Sequence, residues 1–585
     1  MRRFVRLGRL GVRQRAAALL RKLASVACIQ ARCVHTGDGS QLPPKSGSYA
    51  PALQGGCAAL LFVFAALLSG CGGRPVSDEM VIRAGNRSEV QDLDPHVVSG
   101  IAEFRALGAL FEGLARVNPE TLEPEPGVAA SWDIAPDGVH YTFHLRDDAR
   151  WSNGDPVRAQ DFVFSWRRML SPALASEYAY MLHVLKNGRA YNEGGLTDFD
   201  QVGVHALDDQ TLAVELESPT PYFLSMQVHF SWFPVNPGVV EAAGPIDRRG
   251  TGWTSNGKHV GNGPYMLEDW RPDEVLRVVR NPNYWDAEHV RADAVEFYPI
   301  SNEQTEEREF RSGKLDLTYS VPIHRIPVYQ AEQPEVLVIA PYVQTYYYRF
   351  NLSRPPFDDA RVREAFSLAI DRERLASEVL KAGERPAYSF TPPDTAGYTA
   401  EYRVGQDGDK ARALLAEAGY PGGKGFPRVE ILYNTAEFDK VISEAVQQMW
   451  KEELGVESGL RNQDYKVYLD AMSALDYDIA RSTWLADVMD PINFLECFLT
   501  GSGNNRTGYS SEAFDGHIRA AYAEPDAAKR EADLQAAEKQ LLQDAPITPV
   551  LYMTQKFLKA ERLKGLETNS LGYIRWQDLY IEDTK

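Results

Sequence analysis

Arg481, Trp484 and Asp487 recur at every third residue of Ala480 to Phe494, ARSTWLADVMDPINF. A strand-like run, Tyr477-Asp478-Ile479-Ala480-Arg481, enters the stretch, and Asp490-Pro491 must turn it. Pro has no N–H and restricts the residue before it. The stretch thus carries a cation, a broad aromatic face and a carboxylate on a turn leaving a sheet. Loops at strand ends are where ligands are usually met. The plainer alternative is a surface turn whose Trp covers the core and whose Asp caps a helix starting at Ile492. Local chemistry alone favours that alternative, and the rest of the chain reverses the balance.

No catalytic pattern competes with it. HExxH, GxSxG and the phosphate-cradling GxxxxGK[ST] are absent. The 11 His are scattered, so His96 and His144 read as core or surface residues rather than metal ligands. The acid pairs Asp147-Asp148 and Asp208-Asp209 fall in turns, where carboxylates are solvated by default. Two carboxylates facing across a cleft, as a glycosidase needs, stay open at this level. Many aromatics with no catalytic cluster suit binding without a cofactor.

A chain of 585 residues is too long for one core, so two or three lobes are expected. Residues 1–70 hold 10 Lys/Arg and one Asp, which leaves 52 basic and 80 acidic residues for the body, a net charge of −28. Phosphate backbones repel so acidic a body, which argues against nucleic acid as a partner. Of the five cysteines, four precede residue 72, and Cys497 alone remains for the body. The body therefore forms no internal disulfide.

The first residues read as an address. Residues 1–32 are rich in Arg, Leu and Ala and lack any acid, like a transit peptide or a basic leader. Residues 36–56 are Gly/Ser/Pro-rich. The apolar run Ala58 to Leu68 is about half of the ~20 residues that span a bilayer, so it reads as a signal h-region. It ends in Leu68-Ser69-Gly70-Cys71, which resembles the bacterial lipobox and marks Cys71 for lipidation. Residues 1–70 are then basic leader and lipoprotein signal, and 71–79 a linker. The Arg-rich extension does not suit a bacterial signal, so translation is expected to begin downstream of Met1.

The body alternates helices and strands from Val336 to Tyr552, an α/β pattern, and is richer in strands and turns over residues 113–236. Helical spacing covers Ala102 to Leu114, with Gly113 as its stop, and Asp359 to Val379 reads as one amphipathic helix. Gly313 to Leu317 reads as a strand. In an extended run, Tyr346, Tyr347 and Tyr348 face alternate sides.

Motifs in one order now resemble the periplasmic oligopeptide-binding proteins of ABC importers, solute-binding protein family 5. They include Leu93-Asp94-Pro95-His96, Leu110-Phe111-Glu112-Gly113-Leu114, Trp151-Ser152-Asn153-Gly154-Asp155-Pro156, Asn262-Gly263-Pro264-Tyr265, Asn281-Pro282-Asn283-Tyr284-Trp285 and Pro355-Pro356-Phe357-Asp358-Asp359. The resemblance runs from about Val81 to the C-terminus. It implies a two-lobed, three-domain α/β periplasmic-binding-protein fold of the class II, cluster C type. One lobe comprises residues 80–112, 237–342 and 554–585, with 113–236 as its extra domain; 343–553 form the other. The chain crosses between lobes near Val343 and returns near Met553.

The same resemblance gives the opening stretch a role. Asp487 matches the acid that pairs with a peptide's α-amino group, with Trp484 and Arg481 as neighbours and Arg481 balancing its charge in the empty protein. Tyr178, Tyr342, Tyr347 and Tyr465 match aromatic lining positions, Tyr465 where a Trp is usual, and Ile101 falls near an apolar one. There are departures. Ser99 stands where a Glu near the Arg is common. Leu380, Asp439 and Met472 stand where cations meet the C-terminus of short peptides. Thr483 and Leu485 replace a Gly and a Cys beside the Trp, so the family's disulfide is absent. Weak discrimination of the peptide C-terminus is therefore expected, unless Arg385 or Lys381 substitutes. The implied function is a monomeric, lipid-anchored periplasmic protein that captures oligopeptides and passes them to ABC permease transmembrane subunits without catalysis. The alternatives are murein peptides or another small solute on the same fold, a secreted hydrolase, and an adhesin or peptide sensor.

Overall fold

The computed structural model describes residues 79–582. The leader, the lipobox with Cys71 and most of the linker lie outside the described residues. The described chain opens with strand β1 (Val81–Gly85) and helix α1 (Ile101–Leu110). The helix stops earlier than its apolar spacing suggests. Asn262 clamps Glu112, two residues on, from both sides: its Oδ1 accepts the Glu112 N–H at 3.1 Å and its Nδ2 donates to the Glu112 carbonyl at 2.8 Å. Gly113 serves close approach rather than termination, since a Cβ there would lie 2.1 Å from the Gln227 carbonyl oxygen.

A small antiparallel sheet follows, built from β2 (Ala129–Ile134), β3 (His140–Leu145), β4 (Val204–Ala206) and β5 (Thr211–Glu215) in the order β2-β3-β5-β4. Both of its hairpins follow the alternation in the sequence. Helix α2 (Ala159–Met169) packs beside it. The chain then returns to β1 with β6 (Tyr265–Arg271), β7 (Val275–Arg280) and β8 (Ala294–Tyr298), giving the order β1-β8-β7-β6. Leu317 makes only isolated bridges to Ala84 and Lys559, so the strand expected at Gly313 to Leu317 does not form.

The third sheet holds the long elements. It contains β9 (Leu337–Phe350), β10 (Arg385–Pro386), β11 (Val429–Asn434), β12 (Ser458–Gln463), β13 (Ile479–Leu485) and β14 (Ile547–Leu558), in the order β10-β14-β9-β13-β11-β12. Helix α3 (Glu437–Leu454) connects β11 to its parallel neighbour β12. The helix expected over Asp359 to Val379 is broken. It runs from Ala360 to Leu368, and Asp371 then accepts the Arg374 N–H at 2.9 Å and caps a new turn.

Three cores result. One lies under the β1 sheet, around Ile82, Leu107, Val278 and Phe297. A second lies under the third sheet, around Tyr346, Tyr348, Phe366 and Trp450. The largest joins the small sheet to the far side of the third, bringing Phe143, Trp166 and Phe223 into one cluster with Tyr347, Phe390 and Phe498. The three consecutive tyrosines thus alternate between two cores, as an extended run requires. Strands β9 and β14 pair from Leu337↔Leu558 to Arg349↔Ile547, and the register shifts between Pro341 and Thr345. At that break the Val343 N–H donates to Ser570 and its carbonyl accepts the Ala486 N–H.

Candidate functional site

Strand β13 delivers the Arg-Trp-Asp series. It pairs antiparallel with β9, with Tyr348 opposite Arg481 and Thr345 opposite Trp484. The strand ends at Leu485, beside the break at Val343, and the chain turns away through Ala486 to Asp490. Asp490 fixes that turn. Its Oδ1 accepts the Ile492 N–H at 2.9 Å, and its two oxygens take a forked pair of bonds from Arg530 at 2.8 and 3.0 Å. The Ile492 N–H at the start of the short helix is thus taken by Asp490, and Asp487 is free of that duty.

Asp487 is half-buried at the head of this turn. Its N–H donates to Asn493 Oδ1 at 2.9 Å, and Oδ2 accepts the Tyr180 hydroxyl at 3.4 Å. The Tyr573 hydroxyl donates to the Asp487 carbonyl at 3.3 Å. His229 Nε2 lies 4.0 Å from Oδ1. His229 Nδ1 accepts the Ser231 N–H at 3.3 Å, which places the ring proton on Nε2. Burial pushes His229 down to about 3, so the ring is neutral and offers Asp487 a dipole, not a charge. Among the described residues, no Lys or Arg lies within 4.0 Å of the Asp487 carboxylate. Burial accordingly pushes its pKa up to about 6, against the hydrogen bonds from Asn493 and Tyr180. The result is an anionic socket walled by aromatic rings. Tyr178 stacks on Tyr180 at 5.8 Å and lies 4.9 Å from the His229 ring, and Phe104 lies 5.1 Å from Tyr573.

The expected charge balance between Arg481 and Asp487 is wrong. The Arg481 guanidinium pairs with Asp439 at 2.8 Å and lies over the Tyr468 ring at 5.3 Å, with both charged side chains nearly buried. Burial works to lower the Arg481 pKa, but Asp439 together with Tyr468, Tyr346 and Tyr465 raises it. Asp439, on α3, thus does for Arg481 what an acid at position 99 would do; Ser99 itself is exposed. Leu380 and Met472 are buried apolar residues, so none of the three departed positions offers a cation.

The lining residues divide. Ile101 and Tyr342 line a cavity of about 230 Å³ with Arg105, Tyr319, Phe438 and Lys556. Tyr178 stands at the Asp487 socket. Trp484 packs against the shared core, with its indole N–H buried and without an acceptor among the described residues. Tyr465 is 56% exposed and stacks on Tyr468 at 6.0 Å. Tyr347 is fully buried edge-on to Phe390 and Phe498 and takes a 2.6 Å bond from Arg349, so it faces the core, not the cavity. Sequence reasoning missed Tyr180, His229 and Tyr573. Tyr180 alone carried a signal, as the second aromatic of Tyr178-Ala179-Tyr180. Cys497 is a free, buried thiol. Among the described residues no three His, Cys, Asp or Glu side chains converge as metal ligands, and no helix is long and apolar enough to cross a membrane.

A family model described as bacterial extracellular solute-binding proteins, family 5 Middle, matches residues 123–506. The periplasmic oligopeptide-binding protein OppA of Salmonella typhimurium is 39% identical over 521 residues, covering 87% of this chain and 94% of that protein. The Escherichia coli murein tripeptide binding protein MppA aligns with a TM-score of 0.80 at 35% identity, over 86% of this chain and 99% of its own. An unliganded open form of MppA aligns with a TM-score of 0.68 at 35% identity, over 86% and 98%. Haemophilus influenzae OppA in complex with RPPGFSPFR gives 0.78 at 33% identity, over 86% and 99%. The several-lobed α/β architecture is that of class II, cluster C periplasmic binding proteins. The chain belongs to the bacterial extracellular solute-binding proteins of family 5, a family of binding proteins and not of enzymes, and is related to OppA and MppA.

Proposed function

We propose that this protein captures oligopeptides in the cleft beside β13, closes its lobes on them and presents them to an ABC permease at the cell envelope. The observation that carries this reading is Asp487, a half-buried carboxylate with tyrosines around it and, among the described residues, no Lys or Arg against it. A peptide's α-ammonium supplies the missing charge. Trp484, Tyr178, Tyr342, Tyr465 and Ile101 furnish the walls, and Arg481, neutralised by Asp439, holds α3 against β13. Tyr347 acts from behind, as core support. Any peptide with a free amine satisfies the socket, cell-wall peptides included.

Closure uses the crossing strands. In this reading the lobes are 80–112, 237–342 and 554–585 against 343–553, with 113–236 as the extra domain. The bulge at Pro341–Thr345 leaves β9 held to β14 on either side of the crossing, a place where the backbone can flex. The lower likeness to the open form of MppA supports a closed arrangement here. Small-angle scattering with a saturating free-amine peptide tests the reading. The radius of gyration of ligand-free protein is expected to fall on binding, and a titration without compaction would count against closure.

The socket also sets a pH dependence. Free Asp487 titrates at about 6. Bound ammonium lowers that value, so the complex holds fewer protons than the free protein below pH 6. Affinity therefore rises with pH up to about 7 and falls again above ~8, where the peptide amine deprotonates. Between pH 7 and 5 a free-amine peptide is expected to lose about tenfold in affinity, as the ionised fraction of a group titrating near 6 falls from ~0.9 to ~0.1. An N-acetylated peptide gives the control; equal pH slopes for the two would remove Asp487 from the site.

We also propose a lipid anchor at Cys71, since Leu68-Ser69-Gly70-Cys71 follows a short apolar run. Two or three acyl chains would tether a monomer to the membrane. Cys71→Ser is expected to release the protein into the soluble fraction; a mature N-terminus mapped elsewhere and unmodified would refute it.

A further inference from the structure

The loop after β1 holds a second charged feature that the amine socket does not use. Arg87 sits there with φ +60°, a left-handed conformation uncommon for a residue with a side chain. Its neighbours fix the backbone. The Asn86 N–H donates to Tyr298, Asn86 Nδ2 donates to the Ala102 carbonyl at 3.1 Å, and Asn86 is buried. The exposed Arg87 guanidinium lies 5.4 Å from the centre of the Tyr319 ring, with one nitrogen 3.4 Å from the Tyr319 hydroxyl. Arg105, from α1, lies 5.6 Å from the centre of the same ring. Arg105 is 7% exposed and lines the 230 Å³ cavity with Tyr319 and Tyr342; one of its nitrogens donates to the Gly85 carbonyl at 2.7 Å, and its Nε has no partner among the described residues.

Two guanidinium groups therefore share one aromatic ring at the edge of a cavity, and among the described residues neither has a carboxylate within 4.0 Å. The nearby charges are otherwise engaged. Arg481 is paired with Asp439 and Lys556 with Glu384. Glu306 accepts the Tyr319 N–H at 2.7 Å, and burial pushes it up to about 7, so it is largely uncharged below neutral pH. Glu303, also on the cavity wall, has its pKa raised by burial first and by Glu437 next. An anion beside the Tyr319 ring would be attracted by both guanidinium charges. Forked guanidinium donors match a planar carboxylate.

We infer that Arg87 and Arg105, over Tyr319, form a carboxylate-binding subsite that holds the far end of the peptide, either its C-terminal carboxylate or an acidic side chain. The inference rests on the peptide reading proposed above. Tyr342 lines the cavity with Arg105 and Tyr319, and its ring lies beside Gly572, next to Tyr573, whose hydroxyl donates to the Asp487 carbonyl. An aromatic strip thus joins the two charged ends. Leu380, Asp439 and Met472 suggest weak C-terminal discrimination; Arg87 and Arg105 supply the charge those positions lack.

Arg87→Gly is the test, because glycine adopts φ +60° without strain. Calorimetry compares four peptides of one sequence: free acid, C-terminal amide, and each with an internal Glu changed to Gln. In the wild type, removing the recognised carboxylate is expected to cost at least about tenfold in affinity. Arg87→Gly is expected to bring the acid down to the level of its neutralised form and to leave that form unchanged. Loss on amidation assigns the C-terminus, and loss on Glu→Gln assigns the side chain; either supports the subsite. Arg105→Gln is expected to act in the same direction. Equal affinities for all four peptides, or an equal loss for all in Arg87→Gly, would overturn the subsite while leaving the amine anchor standing. Failure of every free-amine peptide to bind the wild type would bring down both.

Discussion

Asp487→Asn is expected to weaken a free-amine peptide by at least about tenfold, a floor of ~1.4 kcal/mol set below the ~2–5 kcal/mol typical of breaking a desolvated charge pair. An ammonium taken into the cleft loses its water, and a carboxylate with hydrogen-bond acceptors must replace it. The amide keeps the shape and an acceptor but removes the charge. The socket also tolerates the change before ligand arrives. No cation is stranded, because His229 is neutral and Arg481 belongs to Asp439. Unfolding stability should therefore hold steady while affinity falls. Acetylating the peptide's amine should cost the wild type a similar factor and cost the mutant little more, so the two changes are strongly non-additive. Independent, additive losses would mean that Asp487 and the amine do not meet.

Arg168→Met is expected to destabilise the fold by ~3–5 kcal/mol, because it strands a buried carboxylate. Arg168, on α2, reaches out of the small-sheet region to the loop after β1. Its two terminal nitrogens meet Asp94 at 2.5 and 2.9 Å, one also meets His96 Nδ1 at 2.9 Å, and Nε donates to the Ile246 carbonyl at 2.6 Å. Trp253 donates to the same Asp94 at 3.2 Å. Burial works to raise the Asp94 pKa, and the charge and hydrogen bonds of Arg168, with His96, together hold the value below normal. Urea unfolding should show the loss. The double change Asp94→Leu with Arg168→Met should cost less than the sum of the two, since it leaves no buried charge alone. Full additivity would mean that the pair is not coupled. Peptide affinity should move little, as these groups lie away from Asp487.

Much of this was legible in the sequence. Alternation gave the hairpins β2–β3 and β4–β5 and sent Tyr346, Tyr347 and Tyr348 into opposite cores, because a strand's two faces follow from backbone geometry alone. The spacing of Arg481, Trp484 and Asp487 on a strand ending in a Pro turn was also visible. What stayed hidden was non-local. Tyr180 and Tyr573 meet Asp487 from 307 and 86 residues away. No local pattern told Arg481 to choose Asp439 on α3 over Asp487 on its own turn, nor Asp490 to take Arg530. The break at Asp371 was masked by apolar spacing that continues across it. Tyr347 matched a lining position but points inward, since one pleat of β9 decides between cleft and core.

On the reading proposed above, the protein holds a peptide by its amine. Native mass spectrometry of the protein purified without denaturation tests it most directly. The expected spectrum shows a ligand-bound species that releases, on unfolding, peptides whose α-amines react with an amine-specific label only after release. Release of N-blocked or non-peptide molecules, or of peptides whose amines are labelled equally while bound, would contradict it.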